Sequence, residues 1–197
     1  MKNVFSATRL TRLALFVALT LLLGLTPLGL IRLGPLNLTL LFLPVVAGTL
    51  SLGLLEGLVL GACFGAISAA SAFGASPSVL ASMTVSASPF WALVMCFVPR
   101  LLIPVNVHLV HRALSGGDRP RRFALPVAAA AGTLTNTVFY LGTMLLIFVA
   151  AGLDTGRVLA VIFGFGGVGA ICETLLCAAV IPPIVLALRK IDKKNKG

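Results

Sequence analysis

Charge is what this chain has least of. Only 10% of its 197 residues are Asp, Glu, Lys or Arg, against roughly a quarter in an ordinary soluble domain, and only five are acidic. Long hydrophilic stretches are missing as well, the one clear example being 111–123. That leaves no room in the loops for a nucleotide-binding or catalytic domain. In place of charge the chain has 59% apolar residues, more than a soluble fold of this size can keep from water. A soluble enzyme, a nucleic-acid-binding protein and a disordered tail are thereby excluded. One bilayer-spanning helix uses about 20 apolar residues, so the composition allows about five or six spans.

The pattern predicts an all-α membrane protein, a single integral membrane domain over 1–197. Six spans can be drawn, near 10–30, 36–50, 54–72, 89–110, 124–151 and 158–188. The second is short and ends in a tight apolar turn, so that spans two and three also read as one bent hairpin. Net charge is +10, and the basic residues sit at segment ends. Lys2, Arg9 and Arg12 precede the first span, Arg112, Arg119, Arg121 and Arg122 lie between the fourth and fifth, and Arg189, Lys190, Lys193, Lys194 and Lys196 follow the last. The opposite side carries only Arg32 and Arg157. Positive charge stays cytoplasmic, which predicts both termini inside and an even number of spans. The first apolar run is too long for a cleavable signal peptide. No internal repeat supports an inverted-repeat secondary transporter, so energy for any transport is expected from a partner.

Several motifs dissolve on inspection. Gly164-Phe-Gly-Gly-Val-Gly169 matches the GxGxxG string but lacks the strand and soluble helix of a dinucleotide site. It reads as a glycine-rich entrance to the last span. His108 and His111 are one helical turn apart without a carboxylate or thiol neighbour, so no metal site is expected. Asn37-Leu-Thr39 matches a glycosylation string but abuts a span. Cys63, Cys96, Cys172 and Cys177 fall in apolar runs and read as small buried residues. Ala14 and Ala18 form a small-xxx-small pair, which flattens a helix face for close approach of another helix.

Ionisable and amide groups at membrane depth are the sharper signal, because each is expensive there. Arg100 and Glu173 stand inside apolar segments. They can pair with each other as a structural lock, or Arg100 can bind an anionic ligand. Glu56, at the turn after the second span, is expected to be solvated or in contact with a partner. Asn136, with Thr133 on the same segment, brings hydrogen-bonding side chains into the fifth span. Arg32 sits in a Pro- and Gly-broken loop that reads either as a surface turn or as a cover over a pocket, and 73–87 reads as a second cover.

The segments TPLGLIRLGPLNLT (26–39), LPVVAGTLSLGLLEGLVLGACFGAIS (43–68), FWALVMCFVPRLL (90–102), AAGTLTNTVFYLG (130–142) and GVGAICETLL (167–176) together resemble the substrate-binding S components of energy-coupling-factor (ECF) vitamin transporters. Within that family the chain is most similar to the pantothenate branch. The resemblance implies six membrane helices and a vitamin site near the outer face, covered by the loops between spans one and two and spans three and four. It implies no catalytic activity and no cofactor in this chain. ATP and magnesium belong to two cytoplasmic ABC-type ATPases, which act with a membrane coupling subunit (EcfT-like). The S component is expected to reorient in the membrane with its vitamin, in the plasma membrane of a bacterium. Ala14 and Ala18 match the family's coupling-subunit contact. Related sequences often carry Asn-Gly where this chain has Gly166-Gly167, and Gly-Pro-Lys where it has Gly53-Leu-Leu-Glu56.

Pantothenate has a carboxylate, hydroxyls and an amide. For its carboxylate the first choice is Arg100, through a bidentate guanidinium contact, and the second is Arg32. Asn136, Thr133 and Glu173 are candidates for its hydroxyl and amide groups, and Trp91 and Tyr140 for apolar walls or interface anchors. Cobalamin, folate or riboflavin are the alternative vitamins. A self-sufficient secondary transporter and a small intramembrane enzyme using Glu173 or the histidines are the alternative classes.

Overall fold

The computed structural model describes residues 7–26, 29–33, 36–74, 79–116, 123–153, 155–161, 163–164 and 167–194; for residues 30–38, 79, 157–158, 161 and 192–194 it describes the backbone alone. The elements are α1 (Ala7–Leu25), β1 (Leu30–Leu33), β2 (Leu36–Thr39), α2 (Phe42–Leu52), α3 (Leu54–Phe73), α4 (Val79–Ala87), α5 (Pro89–Ser115), α6 (Ala124–Ala150), α7 (Thr155–Val161) and α8 (Gly167–Lys194). Five of these, α1, α3, α5, α6 and α8, are long and apolar enough to cross a membrane. Their outward faces carry large apolar side chains, among them Leu15 and Leu22 on α1, Leu146 on α6 and Leu175 on α8. Such surface suits a lipid surround rather than water.

The expected second span, 36–50, is the point of difference. Its first four residues are β2, paired antiparallel with β1 so that Arg32 faces Asn37 and Leu30 faces Thr39. Leu36-Asn-Leu-Thr39 alternates apolar and polar residues, which is a strand period and not a helix period. The remainder, α2, has 11 residues, a length of about 16 Å against a hydrocarbon core of about 30 Å. It is apolar all round and buried from Pro44 to Leu50, the signature of a core helix. The main apolar cluster forms about it, from Leu41, Phe42, Val45 and Val46 to Leu60 and Phe64 of α3, Ile103 and Val107 of α5, and Cys177, Ile181 and Val185 of α8.

The C-terminal carbonyls of α2 have no helical donors of their own, and arginines from two other helices supply them. Arg9 of α1 donates from Nη2 to Leu52 O at 3.0 Å, and Arg189 of α8 donates to Leu50 O at 3.2 Å. The cationic side chains also suit the negative end of the helix dipole. The chain turns into α3 at Gly53, whose φ of 128° is accessible to glycine and strained for other residues. Arg9 also pairs with Glu56. Glu56 was expected to be solvated or bound to a partner; it is buried instead, because α1 closes over the turn.

α5 begins with Pro89, whose fixed φ suits the first helical turn, and contains Pro99 and Pro104. Each proline lacks the N–H that would bond the carbonyl four residues earlier. Pro99 therefore frees Met95 O and Pro104 frees Arg100 O. The second freed carbonyl meets α3 where only glycine fits, since a Cβ on Gly61 would stand 2.6 Å from Arg100 O. Hydroxyls elsewhere in the spans bond back to their own helices, as Thr20 does to Phe16 O and Thr49 to Val45 O.

Candidate functional site

Arg100 lies where α3, α5 and α6 meet and is 4% exposed. Its guanidinium is held at both terminal nitrogens and flanked by two rings. Nη1 donates to the freed Met95 O at 2.8 Å, and Nη2 donates to Ser68 Oγ of α3 at 2.9 Å. The Tyr140 ring of α6 lies 4.4 Å from the guanidinium carbon and the Phe64 ring of α3 lies 5.3 Å from it, both within cation–π range. Nε is buried and has no hydrogen-bond partner among the described residues.

Further polar groups lie on α6 and on the facing part of α8. Tyr140, Asn136 and Thr133 are spaced four and three residues apart on α6 and so share one face. Asn136 is buried, and its Oδ1 has no partner among the described residues. Thr133 Oγ1 bonds to Ala130 O at 2.9 Å and meets Thr174 Oγ1 of α8 at 3.2 Å. Next to Thr174, the buried Glu173 accepts the backbone N–H of Thr39 through Oε1 at 3.1 Å. Thr39 ends β2, and its Oγ1 accepts the N–H of Leu41 at 3.2 Å. The hairpin is thus fastened to the bundle through Glu173.

Arg100 and Glu173 form no ion pair within 4 Å. The polar contacts of each go elsewhere. The lock between them that the sequence allowed is absent, and the cation has no carboxylate in contact among the described residues. A buried cation without a contacting carboxylate is costly, and an anion is the group that chemistry would pair with it.

The other candidates fall elsewhere. Arg32 has its backbone in β1, and its side chain lies outside the described residues. Trp91 is 53% exposed and stands edge-to-face with Phe90, ring centroids 5.7 Å apart. It sits nine residues before Arg100, about 13 Å along the axis, and the structure does not bring it to the polar set. An aromatic on the outer surface near a helix start suits an interface anchor. Ala14 and Ala18 are exposed on α1, one turn apart on the same face as Leu15, Leu19 and Leu22. His111 contacts Ser115 and Arg189 at 3.5 Å each, and no group of three metal-ligating side chains forms among the described residues. Of 73–87, the part Val79–Ala87 is α4, whose Leu80 packs with Met95 of α5 and with Met144, Ile147 and Phe148 of α6; 75–78 lie outside the described residues.

Ser68, Phe64, Met95 O and Thr174 were not found by sequence reasoning. One signal was legible: a proline directly before Arg100 marks a freed carbonyl one turn back. A second pair it did not single out, Asn106 Nδ2 of α5 donating to Thr135 Oγ1 of α6, gives that amide group a partner between the two helices.

Two comparisons bear on the geometry. The family model for the ECF transporter, substrate-specific component, matches residues 8–185. The Pantothenic acid transporter PanT of Lactococcus lactis subsp. cremoris (strain MG1363) is 34% identical over 146 residues, which is 69% of this chain and 71% of that protein. A match over nearly the full length, joined to an apolar helical bundle with a polar interior, makes this chain a member of the substrate-specific component family of ECF transporters, a multi-pass protein of the bacterial plasma membrane.

Proposed function

We propose that this chain captures pantothenate and delivers it as the S component of an ATP-driven ECF importer. One observation carries the reading: a buried guanidinium that, among the described residues, has no partner for Nε and no contacting carboxylate. Arg100 takes the ligand carboxylate. The Asn136 amide oxygen takes a hydroxyl or amide donor, and Thr133 extends the same face. Glu173 holds the β1–β2 hairpin over the site through Thr39, with Arg32 carried on that hairpin. The 34% identity to a pantothenic acid transporter supports the choice of vitamin.

In this reading both termini are cytoplasmic and α2 with its preceding hairpin takes the place of the second span. The exposed Ala14–Ala18 face of α1 docks the membrane coupling subunit. Two ABC-type ATPases supply the energy with ATP and magnesium, and this chain has no cofactor and no catalytic step of its own.

The test is titration calorimetry of the purified protein with pantothenate, alongside mass spectrometry of any copurified small molecule. Saturable one-to-one binding, with ATP-dependent uptake only when the coupling subunit and ATPases are added, is the expected result. Retention of a different vitamin overturns the substrate. Uptake by the chain alone overturns the class.

A further inference from the structure

Arginine at a ligand site is useful only if its donors point where the ligand charge will be. The side chain has four rotatable bonds and five N–H donors, and left free it loses much rotamer entropy on binding. Here three constraints remove that freedom beforehand. Two aromatic rings, Tyr140 and Phe64, lie against the guanidinium. Ser68 Oγ takes Nη2. Met95 O takes Nη1, and that carbonyl is available because residue 99 is a proline and cannot donate to it.

The consequence is directional. With Nη1 on Met95 O and Nη2 on Ser68 Oγ, Nε–H is the guanidinium donor without a partner among the described residues. A carboxylate can take it in a charge-assisted hydrogen bond. We propose that Pro99 and Ser68 are positioning residues that hold the Arg100 guanidinium so that its Nε donor is presented to the carboxylate of the bound ligand. The inference rests on the pantothenate reading above and assigns to Pro99 a role beyond helix geometry: the proline creates the acceptor that aims its own neighbour. In Pro99→Ala the backbone N–H returns to Met95 O and competes with Nη1 for it, which loosens that hold. In Ser68→Ala the Nη2 hold is lost.

The experiment compares pantothenate with pantothenol, which carries a hydroxymethyl group in place of the carboxylate. Both are titrated into the detergent-solubilised full chain as wild type, Ser68→Ala, Ser68→Thr and Pro99→Ala. Loss of a charge-assisted hold is expected to weaken pantothenate by about ten-fold in each of the Ser68→Ala and Pro99→Ala variants, while pantothenol changes by less than about two-fold. Ser68→Thr, which keeps the hydroxyl, restores the preference. Equal loss of both ligands means a purely structural role and overturns the proposal. An unchanged pantothenate-to-pantothenol ratio in one variant overturns the role of that residue. Failure of the wild type to bind pantothenate at all is a different result, and it removes the parent reading together with this one.

Discussion

Arg100→Met separates a ligand-binding arginine from a structural one by the sign of two effects. Methionine keeps much of the side-chain volume and removes the charge. In the ligand-free protein the substitution loses two hydrogen bonds and two cation–π contacts. The hydrogen bonds are worth about 1.5–3 kcal/mol each and the ring contacts about 0.5–2. It also abolishes the penalty of holding a cation without a contacting carboxylate, which is several kcal/mol. The terms oppose and are of similar size, so the stability of the empty protein should move by no more than about 2 kcal/mol in either direction. With pantothenate bound there is no such cancellation. The ligand carboxylate is left buried without its cation, and binding should weaken by about 3–5 kcal/mol, a factor of about 100 to several thousand. Thermal unfolding in detergent, followed with and without pantothenate, reads both quantities. The expected result is a nearly unchanged midpoint without ligand and loss of the ligand-induced rise. A variant that unfolds far more easily when empty, yet still binds pantothenate with wild-type affinity, refutes the reasoning and makes Arg100 a structural lock.

Three further outcomes follow from the same geometry. Glu173→Ala removes the acceptor of the Thr39 N–H, so hydrogen exchange at that amide should speed up by about ten-fold or more, while amides inside α2 keep their protection. Ala14→Leu with Ala18→Leu fills a face that is exposed among the described residues; stability and pantothenate affinity should stay within about 0.5 kcal/mol of wild type, and co-purification with the coupling subunit should be lost. Arg9→Ala leaves Glu56 buried beside a helix end without its cation. Arg9 is itself partly exposed, so the destabilisation in thermal or denaturant unfolding should be about 2 kcal/mol, below the full penalty for an unpaired buried charge.

The sequence made the membrane class plain because composition and segment length act additively over the whole chain, and no tertiary detail reverses them. It also marked Arg100, Glu173, Asn136 and Thr133, since a polar group in an apolar run has to be buried with a purpose. What it could not show was pairing. Whether Arg100 turns to Glu173, to Met95 O or to a ligand depends on which helices meet, and that is decided by close approaches such as Gly61 against Arg100 O. The second span is shorter as a helix than the sequence suggested, for a related reason. Apolar content alone does not mark where a strand gives way to a helix, and 36–39 is β2 while α2 has 11 residues. Trp91 and Glu56 show the limit from opposite sides: an aromatic drawn toward the site stands on the outside, and an acid assigned to the surface is enclosed by Arg9.

The two prolines of α5 join the fold to the site. Interior prolines weaken a helix by about 3 kcal/mol or more, and a span built only to cross lipid has no need of them. Here each freed carbonyl has a specific use within one turn of Arg100. Met95 O holds the guanidinium, while Arg100 O lies against Gly61 and lets α3 come close enough for Ser68 and Phe64 to reach that same side chain. Backbone defects in α5 and a missing side chain in α3 therefore act together to enclose a cation that no carboxylate among the described residues contacts. A bundle selected for stability alone would pair that charge or replace it with an apolar residue. Retaining it unpaired is intelligible if the missing anion arrives from outside and leaves again.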